Sequence, residues 1–335
     1  MCIRDSYLGT DHTEMRLSGS DALALVPQMP EMYDEPFADS SQLPTHLVMK
    51  LARQHVTVAL SGDAGDELFG GYNRYFLGPK TWDGIRRLPP AFRRALGAAL
   101  TAVPAPTVNR LFGPLAGRRG IALPGDKAHK LGARLRHVRS IDDLYVSLVS
   151  EWPDPAGMVG AGNLPPNLLD DRARWPKLHD PVARMMALDG LTYLPDDILV
   201  KVDRASMAVS LETRAPFLDR DVIEFAWSLP MHMKLRGGKG KWLLRQLVDR
   251  HVPRALMERP KMGFGIPLDQ WLRGPLREWG EALLAEDRLK REGYLDPAPV
   301  RATWLRHQRG EGSFGYRLWS VLMFQAWLEQ EGGNA

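Results

Sequence analysis

Cysteine is almost missing from this 335-residue sequence, in which Cys2 is the single example. One cysteine excludes an intrachain disulfide and any cysteine-rich metal site, as is usual in a reducing compartment. Long apolar runs are also missing, and no segment approaches the roughly 20 apolar residues that a membrane span needs. The opening residues, MCIRDS, have neither the apolar core of a signal peptide nor the Arg/Ser pattern of a transit peptide. We therefore expect a cytoplasmic protein with no membrane partner.

Acidic residues are scarce in one part of the chain. Between Gly84 and Arg139 twelve Lys or Arg residues face a single acid, Asp126, whereas the net charge of the whole sequence is only +4. No aromatic ladder or nucleic-acid-binding motif accompanies these cations. A solvated face of arginine-rich helices is the favoured interpretation, and a surface for an anionic partner is the alternative. We expect no nucleic-acid partner.

The composition, 44% hydrophobic and 25% charged, is typical of a globular protein. Hydrophobic periodicity predicts two parts, an α/β unit over 7–80 and a mainly helical remainder over 81–335. Residues 1–6 are expected to form an N-terminus that is unrelated to either part. Within them we predict helices over Ser20–Met29 and Pro44–Gln54, a strand over His55–Leu60, and a buried last helix over Tyr316–Glu329.

Polar residues follow the predicted strand in the segment SGDAGDELFGGY, which runs from Ser61 to Tyr72. Ligands bind at the carboxyl ends of strands in open α/β sheets. Gly62 and Gly65 are expected to adopt positive φ and to allow close approach of a nucleotide. Three carboxylates within five residues favour a cation such as Mg²⁺ bridging phosphates. A turn capped by Asp and Gly before a short helix is the structural alternative, and the motif is not a Walker A loop.

The segment SGDAGDELFGGYNRY resembles the signature of the asparagine synthetase B family, commonly SGDGGDELFGGY, with Ala64 as the one departure. The preceding segments LGTDHTE and YDEPFADSSQLPTHLVMKLARQHVTVAL are also similar to that family. The resemblance covers about residues 7–330. It implies an α/β fold of the adenine nucleotide alpha-hydrolase-like (ATP pyrophosphatase) type, with a parallel sheet, partial in this chain and followed by a mainly helical region. It also implies aspartate, ATP and ammonia from glutamine as substrates, and a homodimer in the full-length enzyme.

The same resemblance assigns roles within the loop. Ser61 and Gly62 would contact the adenylate, and Asp63 would be the acid needed to form the β-aspartyl-AMP intermediate. Asp66 would bind Mg²⁺ and pyrophosphate. Glu67 would either support that role or cap the following helix. Positioned charges suit this chemistry, because adenylation requires neutralised phosphates and a carboxylate held in line.

A second similar segment, Leu194–Pro230, places charges among small or apolar residues, where an unpaired buried charge would be unfavourable by several kcal/mol. These charges are Lys201, Asp203, Arg204, Glu212 and Arg214. We expect each to pair or to bind ligand, with Arg204 assigned to nucleotide binding. The resemblance makes Glu212, in ETRAPFLD, the catalytic candidate nearest the reacting amino acid. A structural network of salt bridges is the alternative.

A third similar region contains GGKGKWLLRQLV and ERPKMGFGIPLDQWL. A lysine at the start of a helix opposes the helix dipole unless an anion is near, which makes Lys239 and Lys241 informative. The resemblance assigns Lys241 to stabilising phosphate charge during adenylation, whereas simple solvent exposure is the alternative. Lys261 lies in a glycine-containing stretch that is expected to form a mobile loop, with a role near the site or in packing.

Two features of the family are not visible in the sequence: the phosphate loop SGGLDS and the N-terminal glutaminase domain. We expect a truncated synthetase whose activity alone is in doubt, and we do not expect Cys2 to be a glutaminase nucleophile, because Ile3 to Ser6 lack the glycine-rich continuation. Other interpretations stay open at this stage. One is a related amidotransferase or a β-lactam synthetase, and another is a non-catalytic nucleotide-binding module.

Overall fold

A computed structural model describes residues 7–14, 16, 18–117, 124–159, 165–258 and 265–333. These residues are mostly helical and include one small parallel sheet. They divide into two compact units, each assembled from separate parts of the chain. The first unit comprises the described residues of Met1–Phe76, Arg172–Ile266 and Gly333–Ala335, and the second unit those of Leu77–Asp171 and Pro267–Gly332. The division at residues 6 and 80 inferred from sequence stays a prediction.

The principal elements of the described residues are helices, together with two short strands. Up to residue 150 they are α1 (Gly19–Leu23), α2 (Met29–Tyr33), α3 (Gln42–Arg53), β1 (Val58–Leu60), α4 (Gly65–Phe69), α5 (Arg74–Arg86), α6 (Pro90–Ala102), α7 (Ala105–Gly117), α8 (Pro124–His137) and α9 (Ile141–Val149). Beyond it they are α10 (Pro181–Leu191), a π-helix (Leu194–Leu199), α11 (Val200–Met207), β2 (Glu212–Arg214), a 3₁₀ turn (Pro216–Leu218), α12 (Arg220–Ser228), α13 (Met231–Lys234), α14 (Trp242–Val248), α15 (Arg254–Met257), α16 (Leu268–Arg273), α17 (Arg277–Leu283), α18 (Glu286–Glu292), α19 (Pro297–Gln308) and α20 (Gly315–Gly333).

The prediction of a single helix over Ser20–Met29 was wrong. It is divided into α1, a 3₁₀ turn and the start of α2. Pro27 and Pro30 explain the division, because proline lacks the N–H that would continue a helix but is accepted in a first turn. The helix predicted over Pro44–Gln54 is confirmed as α3, and the predicted strand is reduced to its last three residues, β1.

The sheet pairs β1 with β2 in parallel, with Val58 opposite Glu212 and Leu60 opposite Arg214. The carboxyl ends of both strands therefore lie at one edge, where the segment beginning at Ser61 leaves the sheet. Val58 and Leu60 point to one face, since side chains alternate along a strand, and they are 40% and 74% exposed. This part of the sheet presents apolar surface to solvent.

The hydrophobic core of the first unit lies beneath the segment that follows β1. Ala64, Leu68 and Phe69 are buried there together with Leu194 from the π-helix and Ala226 from α12. The ring centroids of Phe69 and Phe217 lie 5.7 Å apart in an edge-to-face arrangement. Because these contacts come from α4 and from the Leu194–Pro230 segment, the two stretches predicted to carry the chemistry are packed against each other.

The second unit has a core that includes α19 and α20, in which Trp304, Trp319 and Leu322 are fully buried. The buried last helix predicted over Tyr316–Glu329 lies within α20, where Trp319 is fully buried and Trp327 partly buried. The indole N–H of Trp152 donates to the Arg317 carbonyl at 3.2 Å. Within the described residues, no helix has the length and apolar character needed to cross a bilayer.

Candidate functional site

The segment Ser61–Tyr72, called the signature loop below, begins at the edge of the sheet. The Ser61 N–H donates to the Arg214 carbonyl at 2.8 Å, which extends the parallel pairing by one residue. Ser61 and Asp63 are half-buried and Gly62 is exposed, with no atom within 4 Å of a side chain added at Gly62. The amino-terminal part of the loop therefore offers an open surface to a ligand.

The prediction that Gly62 and Gly65 adopt positive φ was wrong. The left-handed residues of the loop are Ala64, with φ 66°, which precedes the first residue of α4, and Gly70, with φ 71°, which follows its last residue. Gly65 packs closely against the core, because an added Cβ would lie only 3.2 Å from the Phe217 ring. The loop therefore bends at its alanine, and its second glycine allows the helix to approach the core.

Asp66 and Lys241 are brought together by two close backbone approaches. Asp66 Oδ1 lies 3.1 Å from Lys241 Nζ, and the two side chains are 32% and 29% exposed. The Lys241 N–H donates to the Phe69 carbonyl at 3.0 Å. A Cβ at Gly71 would lie 1.6 Å from Asp66 Oδ1, and one at Gly240 would lie 2.0 Å from the Gly70 carbonyl oxygen. Glycine at these two positions is what allows the pair to form.

Lys241 itself precedes α14 and has φ 55°. The helix dipole opposes a cation at this position, as the sequence indicated, and Asp66 supplies the anion that compensates for it. Lys239 is exposed and its Nζ contacts Glu258 Oε1 at 2.8 Å. Lys261 lies outside the described residues.

Glu67 points away from the open surface. It is 2% exposed, and its Oε1 accepts a hydrogen bond from the Tyr72 hydroxyl at 2.6 Å. Burial raises the pKa of Glu67, which the charges of Asp66 and Asp189 reinforce and the Tyr72 hydrogen bond opposes. Neither role predicted for Glu67 accounts for this contact, which joins the start of α4 to the end of the signature loop.

Two ionisable residues beside the signature loop, Arg74 and Asp189, were not predicted from the sequence. Arg74 Nε contacts Asp189 Oδ2 at 2.7 Å, and the Tyr75 hydroxyl donates to the same oxygen at 2.5 Å. Asp189 is fully buried on α10. Its sequence signal is a single acid in the otherwise apolar stretch MMALDGL of α10, which by itself does not indicate the partner.

The second predicted stretch contains one buried cation. Lys201 Nζ lies 2.5 Å from Asp39 Oδ2 and 3.7 Å from Asp197 Oδ1. Burial raises the pKa of Asp197 to about 7, and the nearby Asp39 carboxylate adds to the increase. Burial opposes ionisation of Asp39 too, but Lys201 and hydrogen bonds from Ser41 lower its pKa overall. The network of salt bridges offered as an alternative is present at these residues.

The premise that all the charges of this stretch are buried was wrong. Asp203 and Arg204 are exposed, so water already solvates them and no partner is required. Glu212 is 55% exposed at the amino end of β2, where its Oε1 contacts Arg214 Nε at 2.8 Å. Among the residues predicted for the site, Asp66 is thus paired with Lys241, and Glu212 is paired with its neighbour Arg214.

A magnesium site at the signature loop is compatible with the residues present. Among the described residues no group of three or more His, Cys, Asp or Glu side chains is arranged to hold a metal ion. Mg²⁺ in nucleotide sites needs only one or two carboxylates, because phosphate oxygens and water complete its octahedron. Asp66 and Asp63 supply oxygen ligands of this type on partly exposed side chains.

The sequence matches known proteins over nearly its whole length. Residues 5–329 match the model of the family described as asparagine synthase. A Mycobacterium tuberculosis protein named as a glutamine-hydrolyzing asparagine synthetase is 34% identical over 324 residues, covering 96% of this chain and 46% of that protein. Glutamine-hydrolyzing asparagine synthetase 1 of Bacillus subtilis is 28% identical over 325 residues, covering 96% and 48%. The chain thus spans about half the length of these relatives.

Proposed function

The chain belongs to the asparagine synthase family, and we propose that it carries out the ATP-dependent part of glutamine-hydrolysing asparagine synthesis. The observation that carries the proposal is the pairing of Asp66 with Lys241 at 3.1 Å beside an open loop at the carboxyl edge of a parallel sheet. A carboxylate can bind a metal ion that holds one phosphate group, and the neighbouring ammonium group can neutralise the charge that remains on the phosphates. The acceptor is aspartate, and ammonia derived from glutamine supplies the nitrogen.

The reaction takes place in two steps. An oxygen of the aspartate β-carboxylate attacks the α-phosphorus of ATP, the bond to the bridging oxygen breaks, and pyrophosphate leaves. The lone pair of ammonia then attacks the acyl carbon of β-aspartyl-AMP. AMP leaves with its electron pair, the nitrogen loses a proton, and the amide of asparagine remains.

Four residues of the signature loop and Lys241 have roles in this proposal. Ser61 and Gly62, at the open edge of the sheet, hold the adenylate. Asp63 lies beside the reacting carboxylate, and Lys241 neutralises charge on the phosphates. Mg²⁺, when bound by Asp66 with the support of Asp63, would lower the repulsion between attacking carboxylate and phosphate oxygens.

Glu212 and Arg204 have supporting roles in the same proposal. Both side chains are exposed and therefore available to a ligand. Arg204 contributes positive charge for the nucleotide, and Glu212 binds the ammonium group of the amino-acid substrate. Charge complementarity of this kind steers and orients substrates more than it adds affinity.

The test is a reaction with ATP, MgCl₂, ammonium chloride and aspartate labelled with ¹⁸O in its β-carboxylate. Formation of β-aspartyl-AMP predicts pyrophosphate and asparagine as products, with one ¹⁸O atom transferred to AMP. Glutamate and other carboxylic acids serve as competing acceptors. Release of ADP and phosphate would contradict the adenylation step. Tight ATP binding with no pyrophosphate release in the presence of ammonium would favour a non-catalytic module.

A variant pair isolates the residue that carries the proposal. Lys241→Gln is expected to lower kcat/KM by about 10²- to 10³-fold, the effect typical of removing one positioned charge-stabilising group. Lys239→Gln is the matched control, because Lys239 is an exposed lysine two residues before Lys241, and this variant should retain activity. Equal losses in the two variants would show that Lys241 has no special role.

A further inference from the structure

Arg74 lies just beyond the signature loop and contacts three aromatic rings. Its guanidinium carbon is 4.1 Å from the ring centroid of Tyr72, 5.0 Å from that of Tyr193 and 5.6 Å from that of Tyr75. Only 17% of the side chain is exposed. A planar guanidinium can stack on rings and still donate in its own plane, whereas an ammonium group cannot do both.

Asp189 fixes the other side of this guanidinium. The Asp189 side chain is fully buried, so its ionised form requires a charged partner and hydrogen-bond donors. Arg74 Nε provides the charge at 2.7 Å, and the Tyr75 hydroxyl provides a second donor to the same oxygen. Arg74 and the adjacent Tyr75 therefore both contact one carboxylate oxygen of α10, which fixes this part of the chain against that helix.

Tyr72 carries this constraint into the signature loop. Its ring contacts Arg74 and lies 5.6 Å from the Tyr193 ring in an edge-to-face arrangement. Its hydroxyl donates to Glu67 at 2.6 Å. Glu67 is the residue next to Asp66 on α4, a helix of a single turn that needs such tertiary contacts to hold its orientation.

We propose that Arg74 is a positioning residue, which acts through Tyr72 and Glu67 to hold Asp66 in the orientation that pairs it with Lys241. The inference rests on the proposed function, because the pair is assigned there to the phosphates. The connected contacts run from Asp189 to Arg74, Tyr72 and Glu67, and each of these side chains is mostly buried or ring-stacked. Glu67 thereby acquires a positioning role, and of these two neighbouring carboxylates it is Asp66 that faces the ligand.

Two substitutions test the proposal with little change in volume. Arg74→Lys keeps a cation for Asp189 but loses the stacking on Tyr72, and Tyr72→Phe removes only the hydroxyl that donates to Glu67. Either is expected to lower kcat by about 10- to 100-fold, as misplacement of a supporting side chain does. KM for ATP and for aspartate should stay within about 3-fold of the values for the unmodified chain, because the contacts of the loop to the bound substrates before reaction persist.

Coupling between the two substitutions separates positioning from general destabilisation. If Arg74 acts through Tyr72, the double variant should lose no more kcat than the worse single variant, since residues acting in one chain of contacts are not additive. Independent losses that multiply would overturn the proposal, as would an unchanged kcat in Tyr72→Phe. Arg220→Lys is the control, because the Arg220 side chain is 87% exposed and forms an ion pair with Glu224, away from the signature loop in the sequence.

Amide hydrogen exchange gives a readout that does not depend on turnover. Peptides covering residues 61–72 should exchange about 10-fold faster in Arg74→Lys, with α16 to α19 unchanged, because local opening need not involve the rest of the chain. Unchanged exchange in 61–72 would overturn the proposal even if the chain turned over no substrate. If Arg74→Lys does not fold, Tyr72→Phe carries both readouts. Absence of turnover in the unmodified chain, with faster exchange in the variants, would contradict the proposed function and not the positioning role.

Discussion

At the scale of single residues, Ala64 combines a buried side chain with a left-handed backbone. This conformation is unfavourable for an L-residue by about 1–2 kcal/mol, whereas glycine adopts it freely. Replacing Ala64 by glycine removes that strain, and it also removes a buried methyl group worth about 0.8 kcal/mol and adds flexibility to the unfolded chain. The opposing effects are of similar size.

We therefore expect Ala64→Gly to change the free energy of unfolding by less than about 1 kcal/mol. Ala205→Gly is the matched control, because Ala205 is equally buried but lies inside α11 with ordinary helical geometry. It should lose about 2 kcal/mol from both burial and helix propensity. Urea unfolding measures the two values, and equal losses would contradict the strain at Ala64.

Asp197 gives the molecule a specific dependence on pH. Its pKa is about 7 in the folded protein against an ordinary value of 3.8, so the folded state binds this proton more tightly. The resulting stability is fully present below about pH 4 and is lost as the pH rises through 7. The groups that act on Asp197 are Asp39 and Lys201.

Asp197→Asn is accordingly expected to raise the melting temperature at pH 8 by a few degrees and to have a smaller effect at pH 5. Asp196→Asn, on the exposed neighbouring carboxylate, should show no such pH dependence. Thermal unfolding of both variants at the two pH values checks this. A stabilisation by Asp197→Asn that is the same at pH 5 and pH 8 would contradict the interpretation.

Sequence identified some site residues and missed others for a physical reason. Asp66 and Lys241 each lie in a short motif, so local pattern was sufficient to select them. Arg74 and Asp189 are 115 residues apart, and an ion pair of that kind depends on how helices pack. A single charge in an apolar helix predicts that a partner exists but does not say which residue it is.

At the scale of elements, β1 is notable for its apolar exposure. Val58 and Leu60 are exposed on a strand paired on one side with β2. Strands that present apolar side chains and unpaired backbone groups promote self-association. Threonine keeps the β-branched shape of Val58, introduces a β-branched side chain with high strand propensity at residue 60, and removes apolar surface at both positions.

The double variant Val58→Thr, Leu60→Thr is expected to reduce self-association of the isolated chain without lowering its stability by more than about 1 kcal/mol. Sedimentation velocity over a range of concentrations measures the first effect and thermal unfolding the second. Leu43→Thr, at a fully buried position on α3, is the contrasting substitution and should destabilise strongly. Self-association that is unchanged in the double variant would show that another surface is responsible.

The predicted secondary structure was confirmed where the hydrophobic periodicity and the positions of proline indicated the same element. The predicted α3 and the buried α20 have clear apolar patterns and few conflicting signals. The prediction failed over Ser20–Met29, where helical periodicity continued across Pro27 and the proline determined the backbone. The π-helix at Leu194–Leu199 also has no local sequence signal of its own, because an extra residue per turn reflects tertiary packing.

At the scale of the whole molecule, the two compact units contain titratable groups with opposite responses to acid. His307 in the second unit is fully buried, and burial lowers its pKa from 6.5 to about 4, with the charge of Arg273 adding to the effect. Stability from the neutral ring is present above about pH 6.5 and is lost as the pH falls toward 4. Asp197 in the first unit has the reverse trend over part of this range.

Calorimetry should therefore show two transitions whose midpoints shift in opposite directions between pH 7 and pH 5, since the units of a multidomain chain need not unfold as one. His307→Gln is expected to weaken the acid sensitivity of one transition alone. His251→Gln, at an exposed histidine of the first unit, is the control. A single transition that shifts uniformly in all variants would contradict independent responses.

The parallel pairing of Val58 with Glu212 joins residues 154 positions apart in the chain. At about 5–20 residues per second, a ribosome would synthesise β2 roughly 8–30 s after β1. During that interval Ser61 lacks the Arg214 carbonyl that it contacts in the folded protein. The signature loop therefore completes its contact with β2 well after it has itself been synthesised, and a delay in translating residues 61–211 would prolong the exposure of its apolar strand to chaperones.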